Sequence, residues 1–281
     1  MTSCEPPRVV TDSTADIPAA MARRLDIAVV PCQIHVQGRT YLDGVDISRQ
    51  ELFAHMRSGD LITTSQPPVG VFAEAYHQAL AERSQVVAIH LGAAFSGLHD
   101  TACVAARDVD PARITVVDSQ QVSMCLGWLV VQAAEMAQQG RGRGEIVAHV
   151  RQMIPRLRLF ALIDDLRFLY RGGRVGAISA MVGQLLSIKP VVQVRQGRVD
   201  VVAKVRSFAR GLEHLRQMAE GLGALERLAV LHADAAEAAT GLAGQLARLV
   251  PEGQLLTTEA GAIISAHAGP GAVGFACAIR A

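Results

Sequence analysis

Aromatic side chains are scarce in this 281-residue chain: one Trp, three Tyr and seven Phe, 4% of the residues, although half of all residues are hydrophobic. Its core must therefore be built mainly from Val, Leu, Ile and Ala, and with that much apolar material a disordered chain is excluded. Cysteine is equally sparse, five residues (Cys4, Cys32, Cys103, Cys125 and Cys277) with no C-x-x-C pair, which argues against a disulfide framework or a zinc ribbon and for a reducing compartment. There is no block of like charge, and the formal net charge is +1. Neither nucleic acid nor an anionic membrane surface is suggested as a partner. The segment "MTSCEPPRVV" lacks the basic head and apolar run of a signal peptide, and the longest apolar stretch, "MCLGWLVVQAA", falls short of a membrane span, so the expected location is the cytoplasm.

What is present is an alternation of β-branched runs and helical patterns. "RVVTDS", "IAVVPCQIHV", "VVAIHL" and "ITVVDS" read as strands, the second as one strand leading into a turn at Gly38. Residues 48–58 read as a helix closed by Gly59, and Val69, Phe72, Ala73, Tyr76, Ala79 and Leu80 keep the i, i+3, i+4, i+7 spacing of an amphipathic helix over 69–82. Near-continuous apolar strands, each followed by a helix, are the pattern of a parallel sheet covered on both faces. After about residue 156 the rhythm changes. "LRLFALI" is a strand, 177–187 a helix, and 189–205 two strands joined at Gln196-Gly197. Helices near 208–221 and 235–249 flank the strand "RLAVLHA", and "VGFACAIR" is the last strand. The expected fold is α/β in two domains. Residues 1–156 would form a doubly wound, mainly parallel sheet, and residues 157–281 an α+β unit with a mixed sheet.

Five polar stretches could carry chemistry. "LITTSQPPVG" at 61–70 is too polar for a core strand; Pro67 and Pro68 suit the first turn of the helix that follows. Thr64 and Ser65 thus stand before a helix N-terminus, either as caps or beside an anion. Ser96, in "LGAAFSGLHDTA", follows the strand "VVAIHL" at the edge where α/β sheets gather ligands; the alternative is again a cap. The order Ser96, Asp118 or Asp164, His267 matches that of the α/β-hydrolases. However, the elbow G-x-S-x-G is missing, since Ala94 and Leu98 occupy the glycine positions. His267, in "SAHAGPGAVG", reads as a residue of a glycine-rich loop, with no paired His spacing to suggest a metal. "YRGGRVG" at 170–176 could bind phosphate or simply turn, and no phosphate-binding P-loop occurs in the chain. In "VTDSTADIP", Asp12 and Ser13 either orient neighbours or serve as turn and cap residues.

Taken in order, "VTDSTADIP", "YLDG" at 41–44, "TSQPP", "FSGLHDTA", "VVDSQQVS", "GGRVG", "SIKPVV" and "HAGPGAVG" resemble the DegV family over nearly the whole chain. That resemblance implies a fatty-acid-binding protein that works as the lipid-binding partner of a bacterial fatty acid kinase, is not itself a catalyst and needs no cofactor. It further implies that Thr64, Ser96 and His267, with Ser65 beside them, hold a long-chain fatty acid carboxylate between the two domains. Arg174, in "GGR", would engage the kinase, and ATP and magnesium would belong to that partner. The family usually shows S-G-T-Y-x-S-A where this chain has "SGLHDTA". Leu98, His99 and Thr101 are thus departures that bear on chain-length preference. A serine esterase and a module sensing another small anion are the alternatives.

Overall fold

The computed structural model describes residues 5–173 and 188–280. The chain opens with β1 (Arg8–Asp12), α1 (Ala19–Arg24), β2 (Ile27–Val30), β3 (Gln33–Val36), β4 (Arg39–Leu42) and α2 (Arg49–Ser58). There follow β5 (Ile62–Ser65), α3 (Val69–Glu82), β6 (Val86–His90), α4 (Leu98–Val109), β7 (Ile114–Asp118), α5 (Met124–Gln138) and α6 (Arg143–Met153). The remainder is β8 (Leu157–Leu162), α7 (Leu166–Arg171), β9 (Lys189–Arg195), β10 (Arg198–Val205), α8 (Phe208–Gly221), β11 (Leu225–His232), α9 (Ala236–Leu246), β12 (Leu255–Glu259), α10 (Ala262–Ala268) and β13 (Val273–Ile279). The helix expected over 177–187 lies outside the described residues.

Three sheets result. The first is parallel, in the order β2-β1-β6-β7, and its apolar strands are covered on both faces as their sequences predict. α1, α5 and α6 pack on one side, α3 and α4 on the other. The second is mixed, in the order β10-β9-β8-β13-β11-β12; only β11 and β12 run parallel. Every strand of the parallel sheet lies before residue 119 and every strand of the mixed sheet after residue 156. α5 lies between the two sheets. Leu126, Trp128, Leu129 and Val130 are buried, and the Trp128 indole donates to Ala276 O of β13 at 3.2 Å. A helix apolar on every side is what such a position requires.

The third sheet, β4-β3-β5, corrects the sequence reading at two points. "IAVVPCQIHV" is two strands in different sheets, because Pro31 has no N–H for the ladder and the chain leaves β1 there. The polar run Ile62–Ser65 is also a strand, antiparallel to β3, and only partly buried. Among the described residues no helix is long and apolar enough to cross a membrane.

Candidate functional site

In the parallel sheet the chain reverses its winding between β1 and β6, and their carboxyl ends open a crevice at that switch point. Asp12 closes its floor. Its carboxylate accepts from the Leu91 amide (2.9 Å), from Thr14 and from His90 Nδ1 (3.1 Å), whose Nε2 is bonded to the Tyr76 hydroxyl at 3.0 Å. Burial works to raise the Asp12 pKa, but the His90 bond and charge, with the Thr14 and Leu91 donors, outweigh it and hold the carboxyl below its ordinary range. Asp12 thereby ties the end of β6, and so the start of the loop to Ser96, onto β1.

Above this floor lies a cavity of about 220 Å³ between the two large sheets. Its walls are aliphatic and aromatic, among them Leu91, Phe95, Val192, Val194, Leu231 and Phe275, and among the described residues none that lines it is Arg, Lys, Asp or Glu. Polar groups also line it, among them Thr64, Ser65, Gln66, Ser96 and His267. Thr64 Oγ1 and His267 Nε2 are hydrogen-bonded at 2.9 Å, although 203 positions separate them in the chain. Ser96 Oγ donates to Gln66 Oε1 at 3.3 Å, and Gln66 Nε2 donates to Thr101 Oγ1 at 2.7 Å.

The cap alternatives divide. Pro68 is the cap residue of α3 and makes no side-chain bond, so neither Thr64 nor Ser65 caps that helix. Ser65 instead gives its proton to Gln33 Oε1 (3.0 Å), which leaves His35 Nε2 as donor to Ser65 Oγ at 2.8 Å. Ser96 does accept from the Leu98 amide at 3.2 Å, alongside its bond to Gln66. His267 is not in a loop: it occupies the last turn of α10, a seven-residue helix too short to show periodicity in the sequence. Of the aspartates considered for a hydrolase triad, Asp118 accepts from the Ala93 and Gln120 amides (3.1 and 2.9 Å) and Asp164 is paired with Lys189. Arg174 lies outside the described residues.

Sequence reasoning missed Gln66. Its signal was its position within T-S-Q-P, between the hydroxyl pair and the rigid double proline. Its amide joins β5 to α4, and the threonine at 101 keeps the hydroxyl this needs. Gly97 is small for the same reason, since a Cβ there would lie 3.1 Å from Gln66 Oε1. Gly172 of "GGR" has a purpose too: a Cβ there would sit 2.2 Å from His267 Nδ1, so only glycine lets α7 approach that ring. Leu98 is buried and lines the cavity, whereas His99 points toward Cys103, 3.7 Å from its sulfur. Of these two departures, the leucine is the one that shapes the wall.

A family model for DegV, described as uncharacterised, matches residues 7–280. A DegV domain-containing protein of Streptomyces coelicolor is 36% identical over 276 residues, covering 97% of this chain and 98% of its own. One from Caldanaerobacter subterraneus is 34% identical over 269 residues, covering 95% and 96%. Among solved structures, a Thermus thermophilus DegV family protein reported for fatty acid binding superposes with a TM-score of 0.90 at 32% identity, over 98% of this chain and all of the other. DegV of Bacillus subtilis, described as a fatty acid binding protein, superposes at 0.86 with 29% identity over 98% of this chain and all of the other. With a crevice at the switch point of its parallel sheet, an apolar cavity behind it and these relatives along its whole length, the chain belongs to the DegV family.

Proposed function

We propose that this chain binds a long-chain fatty acid, with the tail in the apolar cavity and the carboxylate held by Thr64, Ser96 and His267, Ser65 standing beside them. The observation that carries this reading is an aliphatic cavity whose wall offers hydroxyls and an imidazole, with Thr64 and His267 hydrogen-bonded to each other, and among the described residues no Arg, Lys, Asp or Glu. Burying some fourteen methylenes at about 0.8 kcal/mol each supplies on the order of 11 kcal/mol gross, from which ordering costs are subtracted. A carboxylate carried in by that tail must find donors, because an unpartnered buried charge is far more costly than the tail can offset. Two hydroxyls and an imidazole supply them.

On this reading the chain is a substrate-presenting protein, not a catalyst, and uses no cofactor of its own. Neutral donors hold the carboxylate without neutralising it, so it remains able to attack a phosphoryl group on a separate ATP-dependent kinase, which supplies ATP and magnesium. An arginine ion pair would bind it more tightly and blunt its nucleophilicity. The partner is thus a fatty acid kinase, and Arg174 is assigned to engaging it on the strength of the "GGR" sequence alone.

Organic-solvent extraction of the purified protein followed by mass spectrometry is the direct test: a co-purified fatty acid is expected, and a polar ligand in its place would favour the anion-sensing alternative. Thr64→Ala and Ser96→Ala should each weaken palmitate binding by roughly tenfold or more in calorimetry, since a bond to a charged group is worth about 1.5–3 kcal/mol. Melting temperature should move little. Unchanged affinity in both variants would remove the assigned carboxylate site. Arg174→Ala should retain palmitate but slow acyl-phosphate formation with a cognate kinase; equal turnover would end that assignment.

A further inference from the structure

Two motifs singled out in the sequence, "VTDSTADIP" and "YLDG", hold no part of the cavity's polar cluster, yet each sends a buried carboxylate to the same place. Asp16 Oδ1 accepts from the Gly261 amide at 2.8 Å, and Asp43 Oδ1 accepts from the Ala262 amide at 3.0 Å. These are the first amides of α10, the helix that carries His267. Arg49 completes the cluster, donating to Asp43 Oδ1 at 3.1 Å and through Nε to Ala260 O at 2.9 Å.

We propose that Asp16 and Asp43 are positioning residues for the ligand site: together they clamp the N-terminal end of α10 and thereby set His267 against Thr64. The functional half of this proposal rests on the fatty acid reading above; the clamp itself does not. A helix of seven residues has no stability of its own, so its orientation comes from what holds its ends. At the start, two carboxylates satisfy amides that have no partner within the helix. A Cβ at Gly261 would lie 2.5 Å from Asp16 Oδ1, so only glycine permits this approach. The first clamped amides are five and six positions from His267, about one and a half helical turns, over which a helix moves as a rigid unit.

The clamp also touches the cavity wall. Asp16 Oδ2 accepts from Ser123 Oγ at 2.5 Å, and Ser123 lines the cavity. Ser123 has φ 56° and ψ −149°, a region that non-glycine residues occupy only under constraint. Its amide is held by Thr14 O at 2.9 Å, on the same turn as Asp16. Asp16 is itself left-handed at φ 54°. The left-handed region is one that aspartate adopts readily, so of the two linked positions Ser123 is the one held against its preference.

The charges around Asp16 make this clamp proton-dependent. Asp43 faces it from the segment after β4 and Arg49 from the start of α2, and the buried Cys32 thiol lies near Asp12 and Asp43. Two carboxylates thus share one guanidinium, and Asp43 Oδ2 is buried with no hydrogen-bond partner among the described residues. Burial, with the Asp43 charge adding to it, pushes the Asp16 carboxyl up to about 7, against the pull of Ser123, Gly261 and Arg49. Were the end of α10 to open and water to reach Asp16, its pKa would fall toward about 4. The closed clamp therefore holds the proton more tightly than the open one. It is firmest below about pH 4, loosens as the pH rises toward 7 and changes no further above that.

Amide hydrogen exchange on the ligand-free protein, corrected for intrinsic rates, reads this directly at Gly261 and Ala262. Their protection should fall more than tenfold between pH 5 and pH 7 and then level off, and Asp16→Asn should abolish that slope. Palmitate titrations from pH 6 to pH 8 form the second arm. Asp43→Ala should weaken binding several-fold, with Asp43→Asn as the milder variant if the first does not fold. Asp16→Asn should lose the part of the pH dependence that the unmodified protein shows beyond the titration of palmitate itself. PH-independent protection in the unmodified protein would overturn the clamp. Full palmitate affinity in the Asp43 variant together with an unaltered pH profile in Asp16→Asn would overturn the positioning role. Failure of every form to bind palmitate at any pH would instead remove the lipid reading, and the exchange arm would still decide the clamp.

Discussion

Trp128→Ala is expected to lower the stability of the protein by about 4 kcal/mol, a large share of the 5–15 kcal/mol a folded domain has in total. The indole is 3% exposed, sits in α5 between the two large sheets, donates to Ala276 O and has the Arg227 guanidinium 5.6 Å from its ring centre. Truncation leaves a cavity that neighbouring strands cannot close and removes the indole's hydrogen bond to β13. At about 2–4 °C per kcal/mol for a chain of this size, the melting temperature should fall by roughly 10 °C in scanning calorimetry. We propose residues 156/157 as the boundary between two domains in chain order, a boundary that α5 bridges. The transition should accordingly remain single. Two separate transitions, only one of them moved by the substitution, would show that the sheets do not share this core.

The second large effect concerns the cavity. Val194 is 5% exposed, points into it from β9 and belongs to the core cluster that includes α5. Val194→Phe places a ring where the acyl tail is proposed to run. Palmitate affinity is expected to fall by a hundredfold or more while the protein stays folded, since overpacking of this kind typically costs 1–3 kcal/mol. Displacement of a fluorescent fatty acid, with circular dichroism as the folding control, measures both. Palmitate binding at the original affinity would place the tail outside this cavity and end the proposed binding mode.

The strands of the parallel sheet were legible because burial on both faces makes them nearly continuous apolar runs; "VVAIHL" can be little else. The hairpin 189–205 was legible from Gln196-Gly197, where both residues take positive φ, 48° and 75°. The small sheet was not. β5 is polar because one of its edges serves the candidate site, so its hydroxyls mask its strand character. Pro31 divides a run that otherwise reads as one strand. His267 reads as a loop residue because the glycines after Ala268 dominate the local pattern, and about two turns of helix leave no periodic trace.

Composition, apolar periodicity and turn chemistry are local properties, and they were enough to decide the aliphatic core, the α/β class and which short stretches were too polar to be core. The motifs in their order also pointed to the family. Which of those stretches meet is a different kind of fact. The bond between Thr64 and His267, the Gln66 bridge to Ser96 and Thr101, and the convergence of Asp16 and Asp43 on α10 join residues far apart in the chain. Only the packing of two sheets around α5, and the reversal of winding between β1 and β6, brings them within hydrogen-bonding distance. A residue's neighbours in sequence constrain its backbone; its partners in space are chosen by the burial of surfaces contributed by distant segments.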